Sequence, residues 1–357
     1  MKIAVVLGTR PEIIKMAPVI RELEQRHADY FILHTGQHYS YNLDRVFFEQ
    51  LKLPKAKYNL EVGSSSHGEQ TAKILVGVER LLQIEQPDVV LVEGDTNSVL
   101  GAALAAAKLR IKVGHVEAGL RSYDRRMPEE INRVLADHCA DYLFAPTPKA
   151  RTILLGEGLA EDKVFMTGNT IVDAVNQNLK LAQTKENTLK SLNLKPKEYF
   201  VVTLHRQENV DSRDRFTSIL DGLDKVAADF GLPVVYPVHP HSRRRMEEFH
   251  LKPQNITLIE PADYLGFLQM ERHARLLLTD SGGVQEEACI LGVPCVTLRD
   301  NTERPETIEV GANMLAGASS DRILECTKMM LGHTNRWTNP FGDGKAGSRI
   351  VDILEAN

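Results

Sequence analysis

The sequence contains no GxGxxG and no GxxxxGK[ST], so neither the dinucleotide fingerprint nor the P-loop accounts for any phosphate site it holds. Cysteine is scarce and scattered. Cys139, Cys289, Cys295 and Cys326 show no CxxC spacing, which excludes a disulfide framework and a thiol-based zinc finger. They read as reduced core residues of a cytosolic protein. There is no basic excess: the net charge is −5, against the basic patch that nucleic-acid binding needs. A small anionic substrate stays open, because local fields at strand and helix ends decide that binding. No run approaches the roughly 18 apolar residues of a membrane span. The opening apolar run, residues 2–7, is too short for a signal peptide and leads straight into a loop and helix. A cytoplasmic protein without membrane or nucleic-acid partners is expected. Fine-period repeats and low-complexity tracts are missing as well.

What is present is length and alternation. A chain of 357 residues with 43% hydrophobic and 25% charged residues suggests two soluble domains. Short Val/Ile/Leu-rich runs alternate with amphipathic stretches, the pattern of βαβ units and parallel sheets. Strands are predicted at 2–7, 30–35, 88–93, 111–116, 142–145 and 163–166, with helices at 11–26, 40–51, 67–85, 97–109, 128–139 and 148–155. Residues 184–197, Lys/Asn-rich and aperiodic, read as a surface loop. A second series follows, with strands at 199–204, 234–237, 256–259, 276–279, 295–298 and 313–315. The fold class expected is α/β: two doubly wound Rossmann-like domains, 1–168 and 169–357, with a cleft between them. The last helix, 346–356, is expected to cross back onto the first domain.

Polar clusters stand at the predicted carboxyl ends of strands, where open α/β sheets bind ligands. In Gly8-Thr9-Arg10-Pro11-Glu12, Pro11 suits a first helical position, and the free N–H groups with Arg10 and Lys15 make an anion site. The plainer reading is a helix start with two solvated cations. Ser281-Gly282-Gly283 opens a helix after a strand, either cradling a phosphate or simply capping. Asp95 fits a helix cap. Glu117, closing a strand before Ala118-Gly119, is a buried carboxylate in need of a partner or a function. Glu129 and Glu130 lie in a helix's first turn, where acids are expected on electrostatic grounds alone. Three carboxylates near neighbouring strand ends shift the balance toward acid/base work. His205 and Arg206 follow a strand of the second half, and Arg304 precedes Pro305 as Arg10 precedes Pro11. His239 and His241 lack a third ligand, so no metal is expected.

Taken in order, these stretches resemble the non-hydrolysing UDP-N-acetylglucosamine 2-epimerases. The resemblance rests on GTRPEIIK (8–15), EGDT (93–96), HVEAGLR (115–121), PEEINR (128–133), SGGVQEE (281–287) and TERPE (302–306). It implies a GT-B-like architecture and interconversion of UDP-GlcNAc and UDP-ManNAc without a cofactor. The route implied is anti-elimination of UDP to 2-acetamidoglucal, then re-addition with inversion at C2. Asp95, Glu117 and Glu129 become the expected acid/base set, with His205 near the diphosphate or leaving oxygen. Arg10, Lys15, Ser281, Gly282, Gly283, Glu287 and Arg304 are expected to bind UDP, Glu287 at the ribose, and Phe267 at the uracil side. As an isolated residue Phe267 would be assigned to the core. A homodimer is also implied. After Gln37-His38 the sequence departs from the bacterial pattern associated with an allosteric UDP-GlcNAc site, which argues against activation by substrate. A hydrolysing relative, a GT-B glycosyltransferase and a non-catalytic UDP-sugar sensor are the competing readings.

Overall fold

The computed structural model describes residues 1–37, 41–332 and 337–356, with only the backbone of 41–44. The Gln37-His38 departure therefore lies partly outside the described residues. The chain divides into two compact units, Met1–Gln177 with Phe341–Asn357, and Asn178–Pro340. The division falls nine residues beyond Gly168, inside the helix Thr170–Ala182.

The first unit holds seven strands: β1 (Lys2–Leu7), β2 (Asp29–His34), β3 (Tyr58–Asn59), β4 (Val89–Glu93), β5 (Lys112–Val116), β6 (Tyr142–Ala145) and β7 (Val164–Met166). They form one parallel sheet in the order β3-β2-β1-β4-β5-β6-β7. β1 and β4 are apolar almost throughout because helices cover both faces of the sheet. The order reverses beside β1, which places the ends of β1, β4 and β5 side by side at a switch point. The terminal helix Ala346–Ala356 packs on the helix Arg10–Gln25. Two features allow that approach. Asp173 accepts the N–H groups of Ala346 and Gly347, and a Cβ on Gly347 would stand 3.0 Å from the Pro18 carbonyl carbon.

The second unit repeats the plan with β8 (Phe200–Thr203), β9 (Val234–Pro237), β10 (Ile256–Ile259), β11 (Leu276–Thr279), β12 (Cys295–Thr297) and β13 (Asn313–Leu315). Their order is β10-β9-β8-β11-β12-β13, so β8, β11 and β12 end together. β3 and the helix Thr188–Ser191 are among the short elements that escaped the sequence patterns. β3 has two residues, too few to show a period. The expected loop 184–197 contains the helix Thr188–Ser191, capped by Asn187 and anchored by the buried Leu189. One turn of helix gives no 3.6-residue period, and Asn at its cap looks like loop composition. All four cysteines are free thiols, Cys139 half-buried and the others buried.

Candidate active site

In the first unit, the turn after β1 is shaped by Gly8. A Cβ there would fall 1.9 Å from Ser98 Oγ, so only glycine lets the turn pass over the helix Asn97–Lys108. Glu12, in the first turn of the next helix, folds back to accept the Gly8 N–H at 2.5 Å and the Thr96 hydroxyl at 2.5 Å. It ties the β1 turn to the β4 turn. Its burial pushes its pKa up to about 7 despite these donors.

Lys15, one turn further on, is buried and bonded to the Glu117 carboxylate. Its Nζ also stands 3.4 Å from Glu93 Oε1, at the end of β4. The ammonium expected at a diphosphate is thus held between two buried carboxyl groups, as burial of those charges requires. Arg10 starts the same helix and lies over the Phe47 ring, 4.9 Å from its centroid. Glu117 has φ 67°, a left-handed conformation that a glutamate seldom adopts. Such strain gathers at functional sites. Gly119, at φ 86°, completes the turn, where a Cβ would meet the Ala150 carbonyl oxygen at 2.5 Å.

Asp95 is gripped by Arg133, which also holds Glu130, and Asn132 donates to the Asp95 carbonyl at 2.9 Å. Glu130 is structural: it accepts Ser122 and Tyr123 N–H groups and shapes the loop before its helix. Its neighbour Glu129 is half-buried, on the same helix one turn before Arg133. His115 is fully buried, with Nδ1 2.7 Å from Asp137 and Nε2 2.8 Å from the Gly94 carbonyl. Both partners are acceptors, so both ring nitrogens carry protons. Burial opposes the charge, but Asp137 and the two hydrogen bonds outweigh it and raise the pKa. The imidazolium clamps Gly94, the residue before Asp95.

A groove of about 800 Å³ lies at the opposite, amino ends of β1, β4 and β5, beside Met1, Asp88 and Lys112. It is remote from the charged turns, which stand at the carboxyl ends of the strands, where open α/β sheets bind ligands.

In the second unit the centre is Asp280, fully buried after β11. It accepts the N–H groups of His205 and Arg206 and the Asn209 amide, and its Oδ1 lies 3.1 Å from His205 Nδ1. Burial alone would raise its pKa, yet His205 and these donors lower it. His205 is thereby oriented from behind while its ring stays exposed. Ser281 caps the helix Gly282–Leu291, and a Cβ on Gly282 would strike Glu303 at 2.6 Å. Glu287 is buried and accepts the Tyr264 hydroxyl at 3.0 Å. Arg304 pairs with the buried Glu286 at 2.8 Å. Beside it, Arg304, Arg299 and Arg206 overcome the burial of Glu303 and hold its pKa far down. Phe267 packs partly buried against the core. His239 caps its own helix, and His241 pairs with Asp211 at 2.8 Å.

Among the described residues no three His, Cys, Asp or Glu side chains are grouped to hold a metal, and no helix is long and apolar enough to cross a membrane. The residues missed from sequence are the supports: Glu12, Glu93, His115, Arg133 and Asp280. Each sits inside or beside a motif already singled out, and that adjacency was the available signal.

A family model described as UDP-N-acetylglucosamine 2-epimerase matches residues 21–355. The chain belongs to this family. A curated UDP-N-acetylglucosamine 2-epimerase of Methanocaldococcus jannaschii is 54% identical over 99% of both chains. One from Methanococcus maripaludis is 52% identical, covering 99% of this chain and 98% of its own. The crystal structure of the M. jannaschii UDP-GlcNAc 2-epimerase in complex with UDP-GlcNAc and UDP matches at a TM-score of 0.93 over 100% of both chains. The fold class is accordingly that of these epimerases, two α/β domains of GT-B-like type.

Proposed function

We propose that this protein interconverts UDP-GlcNAc and UDP-ManNAc by anti-elimination of UDP and re-addition to 2-acetamidoglucal, without hydrolysis and without a cofactor. The observation that carries the reading is the group of ionisable residues at the β4 and β5 ends: Glu117 against Lys15, and Asp95 against Arg133. Family membership supplies the substrate class, since relatives bear that name and one is crystallised with UDP-GlcNAc and UDP.

The C2 hydrogen is weakly acidic, so its removal must be coupled to departure of UDP from C1. Asp95, Glu117 and Glu129 handle the proton on the two ring faces, because inversion needs donors and acceptors on both. Lys15 holds Glu117 in place and Arg133 holds Asp95. In the second unit, the N–H groups of the helix Gly282–Leu291, with Ser281, Gly282, Gly283 and Arg304, bind the diphosphate, aided by Arg10. Glu287 takes the ribose hydroxyls and Phe267 the uracil. His205, held by Asp280, stabilises the leaving oxygen.

The test is incubation with UDP-GlcNAc in D2O. UDP-ManNAc deuterated at C2 supports the proposal. Epimer lacking deuterium overturns the proton transfer, and free ManNAc with UDP identifies a hydrolysing enzyme. A homodimer in the cytoplasm completes the proposal, with light scattering of the purified chain as the check on its mass.

A further inference from the structure

We propose that Glu93 stores the proton that converts Glu117 from base to acid, delivering it through the Lys15 ammonium. This rests on the reading of Glu117 as a group that handles the C2 proton. Glu93 touches no reacting atom in this scheme; it acts through Lys15.

The geometry is a line of three groups. Lys15 Nζ bonds to Glu117 Oε2 on one side and stands 3.4 Å from Glu93 Oε1 on the other. All three side chains are buried, Glu93 with 2% exposure. One ammonium cannot neutralise two ionised carboxyl groups, and a surplus buried charge is expelled by taking up a proton. The distribution of hydrogen bonds says where that proton sits. Glu117 receives the ammonium's close hydrogen bond, whereas Glu93 Oε1 has no hydrogen-bond partner among the described residues.

The surroundings agree. The charged groups acting on Glu93 are Lys15 and Glu12 from the helix Arg10–Gln25, Glu117 from the turn after β5, and Asp95 from its own turn, with His115 of β5 bonded to the adjacent Gly94 carbonyl. Asp95 is matched by Arg133, and His115 by Asp137. Glu12 adds to the negative field. Burial, opposed by Lys15 and reinforced by Glu117, Glu12 and Asp95, raises the Glu93 pKa well above the ordinary range.

The resting triad is therefore a Glu93 carboxylic acid, a Lys15 ammonium and a Glu117 carboxylate, in which Glu117 is ready as a base. In the alternative state Lys15 first gives up a proton, and the amine lone pair this leaves takes the Glu93 proton as the Glu93 O–H bond breaks. The proton given up first is the one Lys15 directs at Glu117: its N–H bond breaks as the O–H bond on Glu117 forms. No electron is transferred, the total charge is unchanged, and Glu117 is now an acid. An epimerase working in both directions needs both states, since the base of one direction is the acid of the other.

Glu93→Gln keeps the size of the side chain and removes its proton chemistry. The expected result is a loss of kcat/KM on the order of 10²-fold above about pH 8, equal in the two directions, that shrinks as the pH falls toward the ordinary carboxyl range of Glu117. UDP affinity should be unchanged. The infrared difference spectrum in D2O near neutrality, wild type minus Glu93→Gln, should contain a protonated-carboxyl band, the contribution of Glu12 being common to both chains. Glu93→Asp, which keeps the titrating group, should retain the wild-type pH limb with a lower plateau. Parallel pH profiles for wild type and Glu93→Gln, or a difference spectrum without that band, overturn the proposal. Glu117→Gln separates the two claims. If that variant still exchanges the C2 hydrogen, the reading of Glu117 falls and the relay with it. If it is inactive while Glu93→Gln keeps the wild-type profile, the relay alone falls.

Discussion

Arg133 closes on a single oxygen of Asp95, with Nε at 2.9 Å and Nη2 at 2.6 Å from Oδ2. The same guanidinium reaches Glu130 through Nη1 at 2.6 Å. One side chain therefore ties a proposed proton-handling group to the carboxylate that shapes the 122–123 loop. Lysine keeps the charge but not the planar fork, so Arg133→Lys is not conservative here. Its expected effect is a fall in kcat of roughly 10-fold or more from misplacement of Asp95, with little change in UDP affinity. Steady-state kinetics beside UDP titration calorimetry decides it: an equal loss in both would reassign Arg133 to substrate binding.

Gly8 carries a steric prediction. Thr35 and Ser98 hydroxyls bond to each other at 2.7 Å beneath it, and a Cβ would stand 2.4 Å from the first and 1.9 Å from the second. Gly8→Ala should cost roughly 1–3 kcal/mol of stability as the β1 turn is displaced. Ser98→Ala in the same chain should recover part of that cost, because the closest clash is with the hydroxyl. Strictly additive losses in urea unfolding would contradict this picture.

The gap between what the sequence reveals and what the structure adds follows from the same residues. Apolar runs such as 2–7 and 276–279 show buried parallel strands directly, because both of their faces must be apolar. The clusters at their ends were legible as charge, but charge does not name its partner. Lys15 reads as a phosphate cation from the sequence, which does not show that Glu93 and Glu117 stand around it, from strand ends 78 and 102 positions away. Asp280 was silent for a related reason. An aspartate between a strand and a glycine pair looks like a turn residue, and only folding brings His205 and Asn209 to it, from 75 and 71 positions away. Local pattern specifies elements; the site's supports are long-range pairs.

Asp280 itself makes a prediction. Its carboxylate satisfies two backbone N–H groups and an amide while facing the His205 ring. Asp280→Ala leaves those donors buried without acceptors and should cost roughly 3 kcal/mol or more. Asp280→Asn keeps an acceptor but not the charge, so it should spare most of the stability and still lower kcat through a weakened hold on His205. A thermal midpoint near wild type combined with wild-type kcat in Asp280→Asn would remove Asp280 from the mechanism.

Glu12 gives the pH prediction for stability. Burial lifts its pKa from 4.5 to about 7 in the folded chain, against the donors Thr96 and Gly8. A raised folded-state value means that the native protein binds a proton the unfolded chain has already released. The stabilisation is complete below about pH 4.5 and is lost as pH climbs to about 7, a swing on the order of 3 kcal/mol at most. Glutamine abolishes the titration while still offering Oε1 to the Gly8 N–H and an amide hydrogen to Thr96. Glu12→Gln should thus match wild type near pH 4.5 and become the more stable of the two above pH 7. Urea unfolding of both chains across that range measures the difference directly. A difference that stays constant with pH would mean that Glu12 is ionised in the fold at all these values, and that its donors outweigh its burial.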